Sequence, residues 1–256
     1  MTKPSLLSRL GILTFGSLTY AFFLATFLAV IAFVEGIVLP HTIDAGLDAP
    51  FWEALGINAA ILGLFGVQHT IMARIWFKKW WTRIVSPAIE RSIFVLATCS
   101  ILTLMLFQWR TVPDVVWSVE GWMGISLTVL SYLGWGIVLY STFLIDHFEL
   151  FGLKQVIRHF RGKTTTNPEF QVRSLYRHVR HPLYLGFLMA FWATPEMTVS
   201  HLMFCGIVSA YLCVGVKIEE NTLIAVHGDD YREYRRQVPA ILPLPHAPRR
   251  TRLAAR

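Results

Sequence analysis

The segment Gly121–Ile145, GWMGISLTVLSYLGWGIVLYSTFLI, carries no charged side chain along its whole length. A helix needs about 20 apolar residues to cross the hydrocarbon core of a bilayer, so this segment predicts a transmembrane helix. Three similar apolar runs precede it, at Gly11–Leu39, Phe51–Ala73 and Ile89–Trp109. The sequence therefore predicts an all-α protein that crosses the membrane several times.

The composition of the chain agrees with a membrane protein. Of its 256 residues 54% are hydrophobic and only 15% are charged, with a mean hydropathy of +0.51, whereas about a quarter of the residues of a soluble globule are charged. The net charge of +7 comes from basic loops, without any nucleic-acid-binding motif, so anionic membrane lipid is the expected partner and nucleic acid is not. The three cysteines form no CxxC pair, and we predict neither a disulfide nor a metal site.

The last apolar stretch, Pro182–Val216, is interrupted at Ala193–Glu196 and predicts a helical hairpin with one short limb. Together with the four earlier runs it gives about six crossings. Of the 23 Lys and Arg residues only Arg110 falls in the loops at the outer side, so the positive-inside rule places both termini and the basic loops in the cytoplasm. We expect one domain over residues 1–256, with a four-helix part at 1–145 and a second part at 146–256 made of a loop, the helical hairpin and the C-terminal tail.

The cytoplasmic segments carry weaker structural signals. Leu153–Phe160 has an amphipathic pattern, and we expect a short helix that lies on the membrane surface. The tail Glu219–Arg236 is also helical in pattern. Pro239 and the prolines at 243, 245 and 248 are expected to end regular structure there.

Ionisable residues gather at the predicted cytoplasmic ends of four separate segments. Such residues are costly inside a membrane and are candidates for function. Plainer roles stay open: Arg180 could anchor to headgroups, His69 could be a core histidine, and the two glutamates could end a solvated helix. The candidates are His69, Asp146, His147, Glu149, Arg180, His181, Glu219 and Glu220.

The segment RHPLYLG, residues 180–186, has features of a ligand-binding helix start. Pro182 suits the first turn of a helix, whose free N–H groups would favour an anionic group. Gly186 lets a ligand or another helix come close. Farther on, Tyr231, Tyr234 and Arg235 share one helical face and could cover a ligand together.

RHPLYLG, followed by an apolar hairpin and EENTLIAVHGDDYREYRRQVPAILP at residues 219–243, resembles the isoprenylcysteine carboxyl methyltransferase and phospholipid methyltransferase superfamily. That superfamily has RHPxYxG, then EE, then GxxYxxY with a trailing VP. The resemblance implies that these segments bind S-adenosylmethionine. The residues carried over are Arg180, His181, Pro182, Tyr184, Gly186, Glu219, Glu220, Tyr231, Tyr234 and Arg235.

The rest of the chain is similar to a narrower group, the bacterial methanethiol S-methyltransferases, with an N-terminal part that resembles NnrU-like proteins. The likeness lies in QHTIMARIWFKKWWTRIVSPAIERSIFVL from residue 68, FQWRTVPDVVW from 107, STFLIDHFELFGLKQV from 141 and GFLMAFWATPEMTVSHL from 186. It implies methylation of methanethiol, a small volatile thiol, to dimethyl sulfide. The chain departs from the group at Thr70, where serine is expected, and at Asn221–Thr222, where Arg-Asp is expected, which could alter substrate preference.

A thiol attacks well only as the thiolate, so a base near the site would help. His147 is the first candidate and His69 the second, with Asp146 or Glu149 orienting the ring. Two alternatives stay open at this stage. The methyl acceptor could be an isoprenylcysteine carboxylate, a phospholipid or a larger thiol, or the chain could be a non-enzymatic NnrU-like accessory protein. The sequence leaves the oligomeric state undetermined.

Overall fold

The structure is a computed structural model that describes residues 5–163 and 172–243. Five of its helices are long and apolar enough to cross a membrane, which confirms the predicted all-α polytopic membrane protein. The prolines predicted to end the tail at 245 and 248 lie outside the described residues. The helices are α1 Leu6–Val34, α2 Phe51–Met72, α3 Ile75–Trp81, α4 Glu90–Gln108, α5 Gly121–Ile145, α6 His147–Leu150, α7 Leu153–Phe160, α8 Pro182–Trp192, α9 Val199–His227 and α10 Asp229–Gln237, with a 3-10 turn at Ser174–Arg177.

The short limb of the predicted hairpin is α8. An eleven-residue helix rises about 16 Å, roughly half of the hydrocarbon core. Beyond α8 the chain continues without helix through Ala193–Pro195 into the strand Glu196–Thr198. The fifth predicted crossing is therefore helical over only part of its length.

Four short strands close one end of the bundle, which we call the strand end. They are β1 Leu47–Asp48, β2 Arg110–Thr111, β3 Val115–Ser118 and β4 Glu196–Thr198. β1 pairs in parallel with β2, with Leu47 opposite Arg110. β3 pairs antiparallel with β4, with Val115 opposite Thr198. These pairings join the three loops between α1 and α2, α4 and α5, and α8 and α9, so the chain reaches the strand end three times.

Two element boundaries differ from the sequence-based prediction. α1 ends at Val34 and not at Leu39, because Gly36 and Val38 adopt positive φ angles of 66° and 65° that no helix accommodates. At the C-terminal end α9 continues to His227, and Gly228, with φ +58°, separates it from α10. The predicted tail helix is thus two helices, the first continuous with the last membrane crossing.

α7 has the predicted bounds, and its buried face packs on α1. Val156 is fully buried, and its methyl groups occupy the notch that Gly16 of α1 leaves open. The guanidinium of Arg9 lies 5.6 Å from the centre of the Phe160 ring. α7 therefore belongs to the bundle, and the predicted surface helix packs on protein along this face.

The apolar core lies between the strand end and the middle of the bundle. Its largest cluster joins α1, α2, α4, α5, α8 and α9 around Phe33, Met105, Trp135, Phe191 and Phe204. The polar candidates of the sequence lie at the opposite end of the same helices.

Candidate active site

A cavity of about 970 Å³ opens among α1, α2, α4, α5, α8 and α9, away from the strand end. Its volume is at the upper end of the roughly 300–1,000 Å³ that small-molecule sites occupy. Six of the predicted site residues line this one cavity, and Tyr184 of α8 is one of them. The others are His69, His147, Arg180, His181 and Glu219.

Arg180 and Glu220 form a buried ion pair at the wall of the cavity. The side chains are only 10% and 8% exposed, and Nη2 of Arg180 lies 2.6 Å from Oε1 of Glu220. The Arg180 guanidinium also donates to the backbone carbonyls of Arg235 and Val238. Most of its donors are therefore used within the protein, and Glu220 does not line the cavity. The ion pair therefore fixes the position of the Arg180 guanidinium, which itself lines the cavity.

His181 links that buried pair to the open carboxylate of Glu219. Its Nε2 lies 3.3 Å from Oε1 of Glu220, and its Nδ1 lies 3.5 Å from Oε2 of Glu219. The Tyr184 hydroxyl donates to the same Glu219 oxygen at 2.9 Å, and the His181 and Tyr184 rings stack at 5.2 Å. The Glu219 side chain is 47% exposed, so of the two glutamates it is the one that can bind a cationic or hydroxyl group of a ligand.

The start of α8 is less available to an anion than the sequence predicts. The N–H groups of Arg180 and His181 donate to the carbonyls of Pro239 and Ala240, each at 2.9 Å. Those of the third and fourth helical residues turn back to the His181 carbonyl at 3.1 Å. Pro182 is buried at the first helical position as predicted. The segment after α10 therefore packs against the start of this helix.

Gly186 serves helix packing. A Cβ atom there would lie 2.7 Å from the Gly134 carbonyl oxygen and 2.9 Å from the Val138 nitrogen, both on α5. Gly186 does not line the cavity. The sequence offered two reasons for a glycine here, the close approach of another helix or of a ligand. The contact with α5 supports the first reason.

Tyr231 and Tyr234 are buried in the joint between α10 and α9. They are 1% and 3% exposed and pack with Val238 against Leu223 and Ile224. Neither ring lines the cavity, so the prediction that they cover a ligand does not match their placement. Arg235, on the same helix, lies 3.8 Å from the Glu220 carboxylate and adds to the buried ion pair.

His147 is 3% exposed, and both of its ring nitrogens have hydroxyl partners. Thr142 Oγ1 donates its proton to the Leu139 carbonyl, so it accepts from Nδ1–H of His147 at 2.8 Å. Nε2 then accepts from the Tyr20 hydroxyl at 2.9 Å. Burial lowers the pKa of His147 below its ordinary value, although the charge of Asp146 acts in the opposite direction. His147 is thus a neutral ring whose lone pair is already occupied.

The carboxylates of Asp146 and Glu149 have partners other than the two candidate histidines. The Asp146 carboxylate accepts from the Glu149 N–H at the start of α6 and pairs with Lys154. Glu149 pairs with Arg158 of α7 at 3.2 Å. Both carboxylates face α6 and α7, because the positive φ of 143° at Asp146 turns the chain away from α5. They fix the fold of this loop and do not line the cavity.

His69 lies at the boundary between the polar and apolar parts of the cavity. Its ring stacks on Phe65 at 5.3 Å and contacts Phe94 at 4.9 Å. Its Nδ1 is buried and has no hydrogen-bond partner among the described residues. The Arg91 guanidinium lies 4.7 Å from the centre of the same Phe94 ring and also lines the cavity. A nitrogen lone pair and a fixed positive charge thus flank one ring.

Sequence reasoning missed several residues at the cavity mouth. Arg74 lines it from the connection between α2 and α3, and Lys79 lines it from α3. Tyr176 lines it from the 3-10 turn. In the sequence analysis the two basic residues were used only to predict membrane orientation. Their position at the cytoplasmic end of the second predicted crossing is the feature that could have identified them as site residues.

Several known proteins are similar to this chain over most of its length. The chain is 49% identical over 233 residues to a protein of Mycobacterium tuberculosis named methanethiol S-methyltransferase, covering 91% of this chain and 96% of that protein. The chain belongs to the methanethiol S-methyltransferase family. It is also 47% identical over 230 residues to methanethiol S-methyltransferase 1 of Bradyrhizobium diazoefficiens, covering 90% of this chain and 81% of that protein. The family resemblance stated from the sequence is confirmed.

More distant similarity extends to a mouse protein. Nurim of Mus musculus is 27% identical over 185 residues, covering 69% of this chain and 70% of nurim. No family model matches the chain, and no solved structure matches it. The methanethiol S-methyltransferase family is therefore assigned from whole-chain similarity, independently of the cavity geometry.

Proposed function

We propose that this chain transfers a methyl group from S-adenosylmethionine to methanethiol and releases dimethyl sulfide. The single observation that carries the proposal is one cavity in which a partly exposed carboxylate and basic residues meet an unpartnered histidine and an apolar interior. Membership of a family whose named members are methanethiol S-methyltransferases supports the same reaction. An accessory protein without enzymatic activity would have no need of this combination.

The groups at the cavity mouth fit S-adenosylmethionine. Its amino group would be held by the Glu219 carboxylate, its carboxylate by Arg74 and Lys79, and its adenine by the rings of Trp76 or Tyr176. When bound, S-adenosylmethionine supplies a methyl group on a positively charged sulfur. The protein residues align the reactants and exclude water from the apolar interior, and alignment alone lowers such a barrier by several kcal/mol, about 7–11 at best.

Deprotonation of the thiol is the step in which a side chain acts chemically. We assign it to His69 in preference to His147, because the His69 Nδ1 has no described partner while both His147 nitrogens are occupied. A thiolate formed beside His69 would be stabilised by the positive charge of Arg91 across the Phe94 ring. His147 then positions α6 and the adjoining wall.

A binding experiment tests the cofactor assignment. Isothermal titration of the purified protein with S-adenosylmethionine is expected to show binding that Glu219→Gln weakens about tenfold, the loss of one charge-assisted hydrogen bond. Glu196→Gln, an exposed change in β4 at the strand end, is the matched control and leaves the affinity unchanged. Equal affinities in all three proteins would remove Glu219 from the site.

A turnover experiment tests the reaction and the base. Dimethyl sulfide formed from methanethiol is measured in the headspace for the wild type, His69→Gln and His147→Gln. We expect the wild type to be active and His69→Gln to lose about 100-fold or more, the usual contribution of a general base. Activity of His69→Gln that rises steeply at alkaline pH, where the thiol ionises by itself, would support the assignment. Near-normal turnover of both variants at neutral pH would exclude deprotonation by these side chains.

We further propose that the cavity mouth faces the cytoplasm of a bacterium and that the protein lies in the inner membrane. The basic residues Arg74, Lys78 and Lys79 lie at this end, and Arg110 lies at the strand end. Reaction of cysteines introduced at Lys79 or Glu196 with a membrane-impermeant maleimide in intact cells distinguishes the two orientations: only the strand-end cysteine should react.

A further inference from the structure

The cavity extends far beyond its polar mouth. On α4 its lining runs from Arg91 to Met105, a distance of about 21 Å along the helix axis. On α9 it runs from Thr222 to Phe204. The end nearest the strand end, which we call the inner chamber, lies between α1, α2, α4 and α9 and is lined by Val30, Leu62, Leu102, Met105, Phe204 and Val208. Every one of these side chains is apolar.

The cavity as a whole is larger than methanethiol requires. The substrate has two heavy atoms, while the whole cavity measures about 970 Å³, and the groups that fit the methyl donor lie at the mouth. Cavities lined by Leu, Ile and Phe stay dry and bind apolar molecules, as an engineered cavity of about 150 Å³ does for benzene. An apolar space of this kind is suited to a hydrocarbon group.

The position of His69 sets the direction in which a larger acceptor would lie. Leu62 is seven residues away on the same helix, about 10 Å deeper. Phe65 lies between them and stacks on His69. A thiol whose sulfur is beside His69 would therefore point its carbon chain past Phe65 into the inner chamber.

Resting on the proposed function, we propose that the inner chamber binds the hydrocarbon part of apolar thiols larger than methanethiol, so that alkyl thiols of several carbons are also methylated. The thiol proton passes to His69, a bond forms between the thiolate sulfur and the methyl carbon, and the bond from that carbon to the donor sulfonium breaks. The products are an alkyl methyl sulfide and the neutral thioether of the donor. The acceptor class is set by this chamber, and the chemistry is unchanged.

Paired variants on α4 test the proposal. Leu102 lines the chamber, whereas Leu104 is 43% exposed on the outer side of the same helix. In membranes supplied with S-adenosylmethionine, the wild type should convert both methanethiol and 1-hexanethiol. Leu102→Trp should lower kcat/KM for hexanethiol about tenfold, the value of burying roughly two methylenes, and leave methanethiol nearly unchanged. Leu104→Trp should change kcat/KM for neither substrate. Because hexanethiol partitions into the lipid equally in both samples, a difference between the two variants reports binding in the chamber alone.

A second pair of variants, on α1, distinguishes a loss of binding from misfolding. Val30 lines the chamber, and Leu28 is 64% exposed. In the absence of methyl donor, hexyl methyl sulfide should raise the Tm of the wild type and of Leu28→Phe, and it should raise that of Val30→Phe by much less. This measurement depends on binding and not on turnover.

The outcomes separate the two proposals. Conversion of methanethiol without conversion of hexanethiol would overturn the chamber assignment and leave the proposed function intact. Equal effects of Leu102→Trp and Leu104→Trp on hexanethiol, or an equal loss of both substrates in Leu102→Trp, would also overturn it. Failure of the wild type to methylate methanethiol would instead refute the proposed function itself.

Discussion

The contact between α5 and α8 offers the sharpest test of how this bundle holds its site. An alanine Cβ at Gly134 would lie 2.6 Å from both the Ala190 nitrogen and the Gly186 carbonyl oxygen. Both are backbone atoms, so no side chain can rotate away and the helices must separate. At Gly136, one half-turn along the same helix, a Cβ would meet nothing within 4 Å.

The magnitude follows from two opposing effects. Alanine is favoured over glycine in a helix interior by about 1 kcal/mol, and Gly136→Ala should show part or all of that gain. Gly134→Ala carries the same gain but adds overpacking, which costs about 1–3 kcal/mol in a well-packed core and approaches the upper value against backbone. The free energy of unfolding of Gly134→Ala should therefore fall by about 1–2 kcal/mol, and the two variants should differ by about 2–3 kcal/mol.

Unfolding of the purified protein by SDS in mixed micelles, followed by tryptophan fluorescence, measures this difference. Gly134→Ala should also lose turnover, since α8 carries His181 and Tyr184 into the cavity, while Gly136→Ala keeps it. If both variants become more stable by the same amount, the inferred close contact between α5 and α8 is wrong. The glycine at position 186 would then have to be explained by the close approach of a ligand.

Two further predictions concern ion pairs. Glu220→Gln leaves the buried Arg180 charge uncompensated and should lower the free energy of unfolding by about 3 kcal/mol or more. Asp229→Asn is the control, because the Asp229 carboxylate in its ion pair is 95% exposed, and it should have no measurable effect in the same SDS titration. Burial acts to raise the pKa of Asp146, but the hydrogen bond and charge of Lys154 outweigh it and hold that pKa below its ordinary value. The Asp146–Lys154 pair therefore stabilises the fold at pH values above the ordinary aspartate pKa of about 3.9. This contribution is lost as the pH falls through the lower pKa of the folded state. Lys154→Met should therefore reduce the loss of stability at acid pH in a stability–pH curve.

The long helices were predictable because a membrane crossing is a local property of sequence. Hydropathy over about 20 residues fixes α2 and α5 nearly to the residue. The four short strands were not predicted, since each has two to four residues and forms only because loops from distant parts of the chain meet at the strand end. The end of α1 was missed for a different reason, because Val38 adopts a positive φ that its residue type does not signal.

The candidate site was predictable in its location and less so in its contacts. Charged residues at the ends of several crossings had to lie at one end of the bundle, and His69, His147 and His181 do line one cavity. Which partner each residue meets depends on tertiary packing. Periodicity placed Tyr231 and Tyr234 on one face of α10, but it could not show that this face is buried against α9.

The two motifs that identify the superfamily act as one structural unit. The segment after α10 gives its Pro239 and Ala240 carbonyls to the N–H groups of Arg180 and His181, and Arg180 in turn bonds to Glu220 and to the carbonyl of Val238. Each motif thus satisfies buried polar groups of the other, and leaving such groups unpaired costs about 1–3 kcal/mol each. A change in the tail therefore reaches the cavity through the position of His181, although the tail residues that make these bonds do not line it. This coupling explains why residues outside the cavity belong to the same sequence signature as those within it.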